Sequence, residues 1–270
     1  MTNSDGQTAP TATRRLDAVL VAGGKYHDID FARRELLTLL GEDERVRVRV
    51  FEDYANLEAI RAADFLVSYT CDVTPTSAEQ QALSDFLTGG GRWYALHGTN
   101  SALRFLESGL VDTPDVAPGF SDLLGSRFLA HPPIGRYRVD VAAPDHPLVA
   151  GLAAFETTDE LYLGEYRDGL EVLLSVEFEG ETPGFTRSEW TQAIHPVCYL
   201  RPVKQGAVLY LTLGHCRGHF DMNPLLDFWP RVERGSWELP IFYELLRRGI
   251  AWAKAAQPVA TMHDARHGAN

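Results

Sequence analysis

Cysteine, positive charge and long apolar runs are all scarce in this sequence, and each scarcity excludes something. Three cysteines (Cys71, Cys198, Cys216) among 270 residues are too few and too irregularly spaced for a disulfide scaffold or a cysteine-rich zinc site. Such usage fits a reducing compartment and predicts a soluble, cytoplasmic protein. Lys and Arg number 25 against 37 Asp and Glu, a net charge of −12 that repels phosphate backbones and anionic headgroups. Nucleic acid and membrane are therefore poor partners. The pairs Arg33–Arg34 and Arg247–Arg248 fall inside amphipathic helical patterns and read as solvated faces, not as a basic patch. No apolar run approaches the roughly 18 residues that a membrane span needs. Residues 1–15 are polar, lack the apolar stretch of a signal peptide and read as a disordered arm.

What is present is a chain 45% hydrophobic, enough to bury a substantial core. Leu16–Ala22 is an apolar run ended by Gly23-Gly24, and a helical pattern over Phe31–Leu40 stops at Gly41. The rhythm repeats: Val46–Phe51 alternates, Phe65–Tyr69 is apolar, Pro75–Leu87 is amphipathic and Arg92–Leu96 is strand-like. Strands alternating with helices predict a doubly wound α/β fold, its mainly parallel sheet covered by helices on both faces. After Arg127 the texture becomes β-rich, with strands predicted at Gly135–Val141, Leu170–Phe178, Ala193–Leu200 and Ala207–Leu213. A helix with a buried stripe is predicted from Pro240 to about Ala255. With no Ser/Gly/Pro linker in view, the expected organisation is one domain over residues 16–256, followed by a loose tail at 257–270. A β-rich half with exposed edges favours pairing, so a homodimer is expected.

In an open parallel sheet the loops at the carboxyl ends of strands line the ligand crevice. Here those loops carry Tyr26-His27-Asp28, Thr70-Cys71-Asp72, His97-Gly98-Thr99-Asn100 and His215-Cys216-Arg217-Gly218-His219, so titratable groups converge from four strand ends. In GGGRWYALHGTN a short strand runs into a polar residue and a turn, the pattern of a nucleophile elbow with His97 at its tip. Imidazole at that position serves as base, proton shuttle or metal ligand better than as nucleophile, which argues against cysteine-dependent amidotransfer. Cys71 reads as a small residue filling a strand end.

His215 and His219 share a side if their segment is helical, and with His27 and His97 they form a candidate set for a divalent metal such as zinc. Further ligand candidates are His131, His195 and the acidic residues Asp159, Glu160 and Glu165. A metal-free pocket of hydrogen-bonding histidines is the competing reading. The pairs His131-Pro132, His146-Pro147 and His195-Pro196 hold their histidines extended; His146 reads as a loop corner. Aromatics near the loops, Tyr26, Tyr162 and Trp190 among them, suit the C–H faces of a sugar, with Asn100, Asp159 and His195 as hydroxyl partners.

The motifs GGKYHD, GGGRWYALHG, FLAHPP, DELY, HPVCYL and LYLTLGH, in that order, with the closing ELPIFYELLRRGIAWA, resemble the ThuA-like (trehalose utilisation) family over residues 16 to 255. The resemblance implies a flavodoxin-like fold in the class I glutamine amidotransferase-like superfamily, with the elbow cysteine lost. It also implies a part in sugar catabolism, acting on a disaccharide or glycoside in its 3-keto form. Carried residue by residue, it places His27, His97, Asp159, Glu160, His195 and His215 in the site. Tyr199 departs from the family pattern, where a Trp is expected. The combined reading makes His97, His215 and Glu160 catalytic, and Tyr26, His27, Asn100, Asp159, Tyr162, Trp190 and His195 substrate-binding. The chemistry is elimination, hydrolysis or isomerisation by acid and base groups. A non-catalytic sugar-binding protein and a metal-dependent hydrolase of a non-sugar substrate are the alternatives.

Overall fold

The computed structural model describes residues 14–255, so most of the predicted N-terminal arm and the whole predicted tail lie outside the described residues. Its strands are β1 (Leu16–Gly24), β2 (Val46–Phe51), β3 (Phe65–Cys71), β4 (Arg92–Leu96), β5 (Arg104–Phe105), β6 (Val111–Asp112), β7 (Ser126–Ala130), β8 (Gly135–Val141), β9 (Phe155–Asp159), β10 (Leu163–Tyr166), β11 (Glu171–Glu181), β12 (Glu189–Val203) and β13 (Gly206–Leu211). The helices are α1 (Ile29–Leu40), α2 (Leu57–Ala62), α3 (Ser77–Thr88), α4 (Pro118–Leu124) and α5 (Pro240–Lys254). Nine strands form one sheet in the order β2-β1-β3-β4-β13-β12-β11-β8-β9. The first five are mutually parallel and the rest pair antiparallel. This is a flavodoxin-like, doubly wound α/β fold with a β-rich C-terminal half.

Alternation along β1 explains both layers. Ala18, Leu20 and Ala22 face a core formed with α1 and α5, whereas Val19 and Val21 face a second core formed with α2, α3 and α4. β3 is buried along its whole length, as a central parallel strand must be. Helix starts are equally local in origin: Asp28 caps α1 through Phe31 N–H, and Thr76 with Glu79 forms a capping box on α3. The sequence gives no strong periodic signal for the short α2 and α4 or for the β7–β10 ribbon, and these appear only in the structure. No helix among the described residues is long and apolar enough to cross a membrane.

Candidate metal centre and cleft

β1, β3, β4 and β13 all end on the same edge of the sheet. The turn after β1 bears His27, β4 runs directly into His97, and His215 follows β13. His97 has φ 44°, the left-handed conformation of a strained elbow, and opens a short 3₁₀ turn over His97–Asn100. Its neighbour must be glycine, since a Cβ on Gly98 would lie 2.7 Å from the Thr70 carbonyl oxygen. Glu160 arrives from the other half of the molecule, just beyond β9.

These side chains converge. The His97 Nδ1–H donates to the Thr212 carbonyl at 2.8 Å, and the His27 Nδ1–H to the Lys25 carbonyl at 3.3 Å. Those carbonyls assign the tautomers and turn both Nε2 lone pairs inward, 2.8 Å apart. A shared proton or a cation between the two nitrogens converts that contact from repulsion to attraction. The His215 Nε2–H donates to Glu233 Oε2 at 2.8 Å, leaving Nδ1 3.2 Å from Glu160 Oε1 with no hydrogen-bond partner. Glu160 Oε2 lies 3.6 Å from the Nε2 atoms of both His27 and His97. Ligand atoms of His27, His97, Glu160 and His215 thus all lie within 4.8 Å of one another, and all four residues are buried. Inner nitrogens turned towards one point and outer nitrogens bonded to carbonyls or a carboxylate is the arrangement that metal-binding histidines adopt. The cluster can coordinate a divalent metal.

Electrostatics follow from this packing. Burial pushes His27 down to about 3, overriding the adjacent Glu160, so its ring is neutral. Burial acts the same way on His215, but the carboxylates of Glu160 and Glu233 outweigh it and raise this imidazole to about 9 in the metal-free protein. Burial would likewise raise Glu160, yet the neighbouring His215 and His131 hold it well below the usual carboxylate range. Arg217 adds a second cation, bonding Glu160 at 3.2 Å and Glu233 at 3.0 Å.

The cluster borders a cleft of about 650 Å³, within the size range of small-molecule sites. His27 and Glu160 reach the cleft; His97 and His215 are fully buried behind them. His131 also faces it, with Nδ1–H donated to the Pro132 carbonyl and Nε2 3.7 Å from Glu160.

The family model described as "ThuA: Trehalose utilisation" matches residues 18–229. The chain belongs to this family. Among solved structures, a ThuA-like protein from Bacteroides uniformis is 18% identical, with a TM-score of 0.62 over 92% of this chain and 94% of its own. A ThuA-like protein from Parabacteroides merdae is 16% identical, with a TM-score of 0.59 over 90% and 91%. At such identities the likeness is one of fold. No curated protein matches the sequence.

The structure distributes the ThuA-family residues singled out in the sequence unevenly. Tyr26 and Tyr162 line the cleft, Tyr162 tilted over the His97 ring at 4.6 Å. Asp159 does not reach it. Its carboxylate instead accepts the backbone N–H groups of Glu160, Gly214, His215 and Ser236, pinning together the segments that carry Glu160 and His215. Asn100 turns away to Ser126 Oγ at 2.6 Å. His195 and Trp190 pack on each other at 5.6 Å, and the Trp190 N–H goes to Thr182 Oγ1; neither lines the cleft. Glu165 pairs with Arg127 and Arg167, away from the cluster. His146 lies 4.0 Å from Glu171, outside the cleft.

His219 requires a correction. The segment after β13 is not helical, so the four-residue spacing does not set His219 beside His215. Its Nδ1–H donates to the Trp229 carbonyl at 2.7 Å and its ring stacks on Phe228, while Glu160 completes the cluster of four. Cys71 lines the cleft, but burial raises its thiol well above the ordinary range, so it is no thiolate nucleophile. Glu233 was missed in the sequence because it stands in an irregular loop with no motif. A bridge to Arg217 brings it home.

Proposed function

We propose that this ThuA-family protein acts on the 3-keto form of a glycoside, removing the proton next to the keto group as the first step of an elimination or isomerisation. The observation that carries the reading is the set of inward nitrogens on His27, His97 and His215 beside the Glu160 carboxylate. We assign a divalent metal, zinc by the chemistry of three imidazoles and one carboxylate, to that set. When bound, such an ion would polarise the keto oxygen and so acidify the adjacent C–H.

The residues supply the rest. His97 and His215, fully buried, hold position and do not touch substrate. Arg217, bonded to Glu160 at 3.2 Å and with its guanidinium 5.0 Å over the Trp229 ring, offers positive charge where an enolate oxygen would develop. His131 presents the acceptor nitrogen of its ring to the cleft and takes the proton. The flavodoxin-like strand order, with His97 at the elbow, supports placing the chain in the class I glutamine amidotransferase-like superfamily as a member without the nucleophile. Three buried free cysteines agree with a cytoplasmic setting.

Metal content by plasma mass spectrometry, on protein purified without tag or chelator, tests this first. Near-stoichiometric metal, with turnover of a 3-keto glucoside that a chelator abolishes, is the expected result. Protein that holds no metal and takes none up on reconstitution overturns the reading.

A further inference from the structure

Polar side chains in the cleft are not spread evenly. His27, His131 and Arg217 all lie within 3.7 Å of Glu160, and Glu233 joins them through Arg217. Elsewhere the wall is mostly apolar. Phe128 packs on Tyr162 at 4.4 Å and on Phe185 at 5.7 Å, and Phe185 lies edge-on to His131 at 4.9 Å, so an aromatic wall borders the polar cluster. Phe105 lies edge-on to Tyr26 at 5.2 Å, and Ile134 and Val232 extend the lining. Two of these apolar groups stand open at the rim, Phe105 at 40% exposure and Val232 at 48%. The remaining hydroxyl or charged side chains on the cleft are Ser101, Thr158, Arg231 and the two tyrosine phenols.

One hexose with its reacting carbonyl against the Glu160 cluster does not fill a cleft of about 650 Å³. What fills the remainder decides specificity. A second hexose brings a hydroxyl on nearly every carbon, and each one buried without a partner carries a desolvation penalty. An aromatic or alkyl group loses nothing there, gains by leaving water, and finds ring edges and faces to pack on. It also covers the exposed Phe105 and Val232.

We propose that the substrate is a glycoside with an apolar or aromatic aglycone, not a disaccharide such as trehalose. This rests on the sugar reading above and narrows its substrate class.

The test is calorimetric titration of the full-length, metal-loaded protein with 4-nitrophenyl β-D-glucoside, methyl β-D-glucoside, trehalose and 4-nitrophenol. The aryl glucoside is expected to bind at least tenfold tighter than either the methyl glucoside or trehalose. Phe105→Ala and Phe185→Ala should each narrow the aryl-to-methyl ratio several-fold; Phe105 is partly exposed, so its variant folds even if the other does not. Trehalose binding as tightly as the aryl glucoside, or an aryl preference that both variants leave intact, overturns the proposal while leaving the sugar reading standing. Binding of 4-nitrophenol with no glycoside bound overturns the sugar reading itself and leaves an apolar-ligand site. If neither aryl compound binds but a plain sugar does, the proposal alone fails.

Discussion

Glu233 accepts the Nε2–H of His215 at 2.8 Å, and through that single bond a loop residue decides which nitrogen of a buried histidine faces the cluster. The same carboxylate takes hydrogen bonds from Arg217 at 3.0 Å and from the Trp229 indole at 3.1 Å, so it is held from three sides. Partners of this kind orient a metal-binding imidazole and raise its basicity. Glu233→Gln keeps the shape and removes the charge. We expect zinc affinity to fall about 10- to 100-fold in competition with a chromophoric chelator, with an unchanged circular dichroism spectrum. Unchanged affinity would show that His215 is not positioned through Glu233.

Metal uptake should depend on pH with a definite sign. In the metal-free protein His215 titrates at about 9, so in neutral solution its imidazolium proton competes with the ion. Raising the pH removes that competitor, and affinity should climb about tenfold per unit until the pH passes the His215 value, then level off. His27, depressed to about 3, is already neutral and adds no slope in this range. Competition titrations at several pH values between neutral and about 9 measure the slope. A flat profile would remove His215 from the ligand set.

His97 offers a substitution matched to its backbone. At φ 44° it occupies the region that asparagine tolerates better than most residues with a side chain. His97→Asn should therefore keep the fold, with a melting temperature within about 5 °C of the parent. Turnover of a 3-keto glucoside should fall by roughly 100-fold or more. Retained turnover would mean that the elbow histidine is a packing residue.

The parallel half of the fold was legible because β1, β3 and β4 are largely buried and read as short apolar runs, each followed by a polar loop. That same logic pointed to His27, His97 and His215, which do share one edge of the sheet. It failed where position depends on pairing between distant segments. Trp190 sits among polar neighbours in sequence and His195 in a His-Pro pair, yet β12 turns both side chains inward, where they pack against each other. Asp159 and Glu160 are adjacent in the chain, and only the structure separates the one that ties backbone segments together from the one that faces the cleft. His219 was misplaced by a helical spacing in a segment that is not a helix, and a His219→Ala variant should bind metal as the parent does.

Tyr199, where the resemblance led to the expectation of a Trp, separates packing from function. Its phenol bonds Ser126 Oγ at 2.7 Å and donates to the Leu124 carbonyl at 3.0 Å, on the face of the sheet away from the cleft. Its ring stacks on Tyr210 at 5.4 Å, and it is Tyr210 whose hydroxyl donates to the His97 carbonyl at 2.6 Å and accepts the Asn100 N–H at 2.9 Å. The two tyrosines are equally buried but differ in what their hydroxyls hold. Removing either hydroxyl strands buried partners and should cost about 1–3 kcal/mol in urea unfolding. Tyr210→Phe should also lower turnover per folded molecule, because it frees the backbone on both sides of the elbow. Tyr199→Phe should leave that turnover within about twofold, since its own bonds go to α4 and β7 and it meets the elbow turn only through Ser126 Oγ and the Asn100 side chain. If the Tyr199 variant loses turnover as steeply as the Tyr210 variant, the stacked pair acts on His97 as a unit.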